Sequence, residues 1–196
     1  MTAPILNLDA VELIDLAERA RQRGTTMLEG RFGGSIGPIS PRIGARKLGY
    51  NLTVIHPGKA AFPKHSHRAN EEMFFVIEGS GELRLGDAVH PVRAGDVIAC
   101  PPGGPDTAHQ LVNTGDAPLR VLAVSTMEYP EICEYPDSGK FLASTGMQPG
   151  DFRHIGRPGD GSPWSLGGGD GSAARNRMAD EPARPVGEQR KPAATG

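Results

Sequence analysis

Four side chains are of the types and at the spacing that hold a transition-metal ion. His65 and His67 are separated by one residue, Glu72 stands five residues after His67, and His109 opens a later run, His109-Gln110-Leu111-Val112-Asn113. On an extended strand side chains alternate with period two, so His65 and His67 project from one face, about 7 Å apart along the chain. A turn at Arg68-Ala69-Asn70 reverses the chain, and the alternation Glu72, Phe74, Val76 then fills the same interior. His109, Leu111 and Asn113 share a face of their own strand. Imidazole nitrogen and carboxylate oxygen are borderline-to-hard donors. Three of the first and one of the second would hold a divalent first-row ion (iron, manganese, nickel, copper or zinc) and leave coordination positions open.

The elements around these residues read as strands. From about 48 to 128 short apolar or alternating runs (Leu48–His56, Met73–Glu78, Glu82–Leu85, Ala88–Val92, Val97–Cys100, Ala108–Asn113 and Leu119–Met127) are broken by Gly-, Pro-, Asn- and Asp-rich turns. Many short strands with turn chemistry between them indicate an antiparallel sandwich or barrel, and no helical pattern intervenes to make a doubly wound sheet. Gly79, Gly81 and Gly95 are expected to supply positive φ in turns, while Pro101 and Pro102 place the approach to His109 in an edge or loop. Ahead of this region residues 8–23 have the pattern of an amphipathic helix lying outside a sheet. Asp9 would cap it, Val11, Ile14 and Ala17 with Leu13 and Leu16 would form its apolar stripe, and Gly24 would end it. The pair Gly33-Gly34 has the composition of a loop. Residues 151–196 hold nine Gly and five Pro among 46 but only six large apolar side chains, too few to offset their ordering entropy.

Two spaced motifs frame the candidate ligands. The first is Gly58-KAAFPK-His65-Ser-His67-RANE-Glu72-MFFVIE-Gly79, and the second is Gly95-DVIAC-Pro101-Pro102-Gly103-GPDTA-His109-QLV-Asn113, with Ser80 to Ala94 between them. In these motifs, over roughly residues 45–128, the chain resembles the small single-domain bacterial members of the cupin superfamily. It departs from their strict pattern by one extra residue before His65 and by five residues instead of two between Gly103 and His109.

The resemblance implies an all-β fold, a small antiparallel β-barrel of the jelly-roll type, with His65, His67, Glu72 and His109 as metal ligands. With the periodicity and composition above, the expected organisation is an N-terminal helix and arm over 1–44, the barrel over 45–130, an extension over 131–165 packing on the barrel, and a disordered tail over 166–196. Glu71 is the rival to Glu72. The six-residue interval to Gly79 selects Glu72, and the pleat then turns Glu71 outward. His56, His90 and His154 lack partner spacing and are expected at the surface, and Cys100 is expected to pack rather than react. A homodimer is expected by analogy with small cupins, with residues 25–47 as an exchangeable arm; a monomer mass by light scattering would reject it.

Composition excludes several classes. Lys+Arg number 21 and Asp+Glu 23, a net charge of −2, so nothing electrostatic favours nucleic acid or a membrane surface. Two cysteines make no disulfide framework, the chain opens without a basic and apolar leader pattern, and no run of about 18 apolar residues occurs. A cytoplasmic protein acting on a small molecule is the expectation. A mixed His/carboxylate centre supports dioxygen activation on a chelating substrate, Lewis-acid chemistry in an isomerase, lyase or decarboxylase, or ligand binding without catalysis. No separate Tyr or Lys base stands in the metal-bearing strands, so the dioxygenase reading leads. Phe74, Val76 and Leu111, with Leu83 or Leu85, are the expected pocket wall, and Arg84 is a carboxylate clamp only if it faces inward.

Overall fold

A computed structural model describes residues 3–22, 30–148 and 150–159. In chain order the strands are β1 (Ile14–Asp15), β2 (Gly34–Pro38), β3 (Leu48–Ile55), β4 (Ser66–His67), β5 (Glu72–Glu78), β6 (Ser80–Leu85) and β7 (Ala88–Arg93). They continue with β8 (Val97–Cys100), β9 (His109–Val112), β10 (Leu119–Thr126), β11 (Glu131–Tyr135), β12 (Lys140–Ser144) and β13 (Arg153–Gly156). Two short helices, α1 (Leu16–Gln22) and α2 (Ser40–Ile43), lie in the N-terminal third. The seven expected strands are present within two residues of their expected ends, because alternation and turn residues act locally there.

All strand pairs are antiparallel, in one six-stranded sheet of order β1-β2-β3-β10-β5-β8 and two smaller ones, β13-β12-β11-β4 and β7-β6-β9. A reciprocal backbone bridge joins the small sheets, His65 N–H to His109 O at 3.1 Å and His109 N–H to His65 O at 2.8 Å. The inner faces enclose the main core, which includes Ile36, Ile55, Val76, Leu83, Ile98, Leu111, Leu119 and Val121. Ile55, Val76 and Leu119 are fully buried, each worth about 1.5–3 kcal/mol of transfer free energy. On the outer face of the large sheet a second cluster gathers Val11, Ile39 and Leu52 with Leu6, Leu8, Tyr50, Val54, Ile77 and Leu122.

The N-terminal expectation needs correcting. Residues 8–23 are not one helix: Leu8–Ala10 form a 3-10 turn capped by the Asn7 side chain, and Ile14–Asp15 pair with Ile36 and Ser35. Only from Leu16 does an α-helix run, its first turn capped by Asp15 Oδ1 accepting from Glu18 N–H at 2.9 Å. The stripe therefore splits. Val11 joins the outer cluster, Leu16 the main core, and Leu13 and Ile14 stay exposed. The expected Gly24 cap lies outside the described residues, as does the tail over 166–196.

Gly34 is likewise no loop residue. It starts β2 at φ +152°, and a Cβ there would meet Val54 O at 2.1 Å, so glycine permits the close approach of β2 to β3. Gly81 lies within β6, without positive φ; a Cβ there would meet Val112 O of β9 at 2.3 Å. Gly79 and Gly95 do adopt positive φ, 86° and 95°. Over 131–156 the chain contributes β11, β12 and β13, of which β11 pairs with β4 through Cys133–His67 and Glu134–Ser66. Among the described residues no helix is long and apolar enough to cross a membrane.

Candidate metal centre

Backbone pairing brings the four predicted side chains together. His65 and His109 are direct cross-strand partners with ring centroids 4.7 Å apart. His67 follows in β4, held on one side by β11 and on the other by Gly103 N–H donating to His67 O at 2.8 Å. That bond anchors the long proline-bearing loop before His109, which closes with a 3-10 turn at Pro105–Thr107. Glu72 opens β5, fixed between Cys100 of β8 and Ser125 of β10. One ligand atom from each of His65, His67, Glu72 and His109 lies within 4.8 Å of the others. Glu72 Oε2 is 3.0 Å from His109 Nε2, 3.6 Å from His67 Nε2 and 3.9 Å from His65 Nε2. Two ligands each about 2.1 Å from one ion stand at most roughly 4 Å apart, so the cluster has the scale of a slightly open coordination sphere.

Hydrogen bonding prepares the nitrogens. His65 Nδ1 donates to Pro63 O at 2.8 Å and His109 Nδ1 to Thr107 O at 3.3 Å. A carbonyl only accepts, so Nδ1 carries the hydrogen in both rings and the Nε2 lone pair faces inward, as in metal-ligating histidines oriented by backbone carbonyls. His109 Nε2 then meets Glu72 Oε2 lone pair to lone pair, a contact that a shared proton or cation resolves. Both ring nitrogens of His67 are buried without a hydrogen-bond partner. Each lies 3.6 Å from a carboxylate oxygen, Nε2 from Glu72 and Nδ1 from Glu131, just beyond hydrogen-bond length, and an ion at Nε2 would complete its contacts.

The charges are correspondingly displaced. Burial, then the neighbouring His109 ring, pulls His65 down to about 4. Burial opposes ionisation of His67 too, but the Glu72 carboxylate and then Glu131 overcome it and raise the group above its ordinary value. Burial acts to raise Glu72, yet the imidazoles of His109 and His67 hold its carboxyl well below the usual range. Burial pushes the Cys100 and Cys133 thiols up to about 12, which leaves neither a nucleophile near neutral pH.

The cluster lines a cavity of about 230 Å³. Its wall includes Ile36, Ile55, Ala61, Phe62, Phe74, Leu111, Val121 and Ala123, with Asn51, Thr53 and Gln110 as further polar members. Phe74 and Leu111 stand in the expected wall, whereas Val76, Leu83 and Leu85 pack in the core behind it. Arg84 is no clamp here: it bonds Gln110 Oε1 at 2.6 Å and Asp137 at 3.1 Å, outside the cavity lining. Glu71 is exposed, its backbone paired with Thr126. His56, His90 and His154 are exposed as well.

Three residues near the site were missed in the sequence. Glu131 of β11 is 6% exposed and accepts from the N–H groups of Arg68, Ala69 and Asn70 and from the Asn70 side chain. Its Oε2 is also 3.6 Å from His67 Nδ1. Asn51 and Thr53 are polar residues on the inward positions of β3. The period-two alternation of that run carried their signal, two polar side chains on the face that should be apolar.

Comparison with known proteins agrees with this geometry. Residues 51–125 match the cupin domain family. A solved sugar phosphate isomerase of the cupin superfamily from Silicibacter pomeroyi is 30% identical, with 83% of this chain and 98% of that one covered and a TM-score of 0.65. An uncharacterised protein of Methanocaldococcus jannaschii is 35% identical over 65 residues, covering 33% of this chain and 50% of its own. A glucose-6-phosphate isomerase of Pyrococcus horikoshii is 35% identical over 89 residues, covering 39% and 46%. The chain spans about half the length of these two curated relatives. With the motif order, the strand topology and a relative matched along nearly its whole length, the chain belongs to the cupin superfamily.

Proposed function

We propose that the chain is a metal-dependent enzyme whose His65, His67, Glu72 and His109 hold one divalent first-row ion, and that it isomerises a small hydroxycarbonyl compound. The observation that carries the reading is the convergence of these four side chains on the wall of an apolar cavity, with His67 Nε2 buried and 3.6 Å from Glu72 Oε2. When bound, the ion supplies a Lewis acid that stabilises negative charge on a chelating substrate oxygen. The chain's own residues orient the substrate and exclude water: Phe62, Phe74, Leu111 and Val121 form a dry wall, and the carbonyls behind His65 and His109 fix the two rings. Support for isomerisation over the other classes comes from the names of the Silicibacter pomeroyi and Pyrococcus horikoshii relatives.

Dioxygen activation on a chelating substrate is the second reading. It is favoured by the cavity lining, which among the described residues offers no Tyr or Lys to carry a proton between carbons. Tyr135 stands 6.1 Å from the His65 ring, but burial, and then the neighbouring Cys133, pushes its hydroxyl well above the ordinary value. Incubation of zinc- and iron-loaded protein with erythrulose and dihydroxyacetone in deuterated water separates the two. Deuterium at the carbon beside the carbonyl without oxygen uptake is the expected result. Oxygen consumption by the iron form without exchange would replace the isomerase with the oxygenase.

A further inference from the structure

We infer that the cavity grips a small uncharged ligand at two ends, the metal centre chelating one and Asn51 and Thr53 hydrogen-bonding the other, and that it admits no phosphorylated ligand. The inference rests on the metal-centre reading and adds the substrate class to it.

Along β3 the side chains of Asn51, Thr53 and Ile55 turn into the cavity, while Leu52 and Val54 pack on the opposite face. Thr53 is 4% exposed, and among the described residues neither its hydroxyl nor the Asn51 amide has a hydrogen-bond partner. Both groups line the open cavity, Asn51 half-buried, so their donors and acceptors are available to a molecule that enters it. Gln110, the other polar wall residue outside the metal cluster, is fully used: its amide donates to Phe62 O and accepts from Arg84. Between β3 and β5 runs β10, where Ala123 faces both Asn51 and Phe74. Two strand spacings put the β3 backbone roughly 9–10 Å from that of Glu72, and the small Ala123 leaves the space between them open.

Size and charge then narrow the ligand. A volume of about 230 Å³ is below the roughly 300–1,000 Å³ of drug-sized pockets. A four-carbon hydroxyketone is well within that space. Among the described residues no Lys or Arg lines the cavity, and the neighbouring ones bond elsewhere. Lys59 Nζ donates to Gly30 O, Lys64 Nζ to Gly86 O, and Arg84 reaches Gln110 and Asp137. A phosphate group would lose its hydration beside apolar walls and the Glu72 carboxylate with no cation of the chain to replace it.

The test uses the full chain loaded with cobalt(II), whose visible spectrum reports on the coordination sphere. Erythrulose is expected to shift that spectrum with saturable affinity, and dihydroxyacetone to bind at least about tenfold more tightly than dihydroxyacetone phosphate. Thr53→Val and Asn51→Ala should each weaken erythrulose about five- to tenfold at unchanged cobalt content, as loss of one neutral hydrogen bond predicts, while Thr53→Ser retains affinity. Tighter binding of the phosphate, or wild-type affinity in both variants, overturns the inference. A chain that takes up cobalt but whose spectrum erythrulose leaves unchanged also overturns it, with the metal centre intact. A chain that takes up no cobalt removes the metal centre itself and this inference with it.

Discussion

Asn113 and His67 lie in the same barrel, one in each sequence motif, and their surroundings differ in one respect. Asn113 is wholly buried, and each of its polar groups is answered by the chain. Its side-chain amide donates to Ile55 O and Ala117 O, its Oδ1 accepts from Gly115 N–H, and its backbone pairs with Gly58 and Lys59. His67 has two sealed ring nitrogens that approach the Glu72 and Glu131 carboxylates at 3.6 Å each without a hydrogen bond to either. Burial of a polar residue is thus no mark of function by itself. A closed set of partners makes a structural staple, and an open set beside other ligand atoms makes a site. Thr53 and Asn51 differ from both: they face the cavity with polar groups it can reach, although no motif contains them.

That contrast breaks most readily at Glu72. Glu72→Ala should lower the metal content of purified protein by at least about tenfold, while the exposed neighbour tested by Glu71→Ala leaves it unchanged; elemental analysis of the two variants decides. Zinc at a hundred times its dissociation constant should stabilise the wild type against urea by about 2.7 kcal/mol and Glu72→Ala by much less. Equal metal losses in the two variants would reject the site. Asn113→Ala makes the opposite prediction. It strands the buried Ile55 carbonyl and the part-buried Ala117 carbonyl and Gly115 N–H, so denaturant unfolding should show a loss of about 1–3 kcal/mol. The folded fraction should still bind metal at the wild-type ratio.

How much of this the amino-acid sequence shows depends on whether the signal is local. The barrel strands from Leu48 to Thr126 are legible because alternation and turn residues are written within each segment, and the His-x-His and later His frames place four candidate ligands in order. The N-terminal segment misleads because its 3.6-residue apolar spacing is overridden by a tertiary demand: Ile14 and Asp15 add to the edge of β2, and helix begins only after them. Gly34 misleads for the same reason, since the backbone contact with Val54 that requires glycine is formed by a strand twenty residues away. Glu131 was invisible because its four donors come from residues 61–63 positions earlier, and nothing in its own neighbourhood announces them.

Glu131 also stands between the two kinds of buried polar group, which makes it the finest test of the distinction. Like Asn113 it closes a loop, accepting from the backbone of Arg68, Ala69 and Asn70 at 2.9, 3.3 and 2.9 Å. Like the cluster residues it reaches a candidate ligand, with Oε2 3.6 Å from His67 Nδ1, and it comes from β11, beyond the matched cupin region of 51–125. Glu131→Gln keeps the shape but removes the charge and turns one acceptor into a donor facing the Asn70 donors. Stability should fall by about 1–3 kcal/mol in urea unfolding, the range for hydrogen bonds to a charged group. If Glu131 also sets the orientation of the His67 ring, metal affinity measured on the folded variant should fall about tenfold, the lower end for partners that orient a ligand. A loss of stability with unchanged affinity would assign Glu131 to the staples, and the His67 ring would then owe its position to β4, β11 and the Gly103 bond alone.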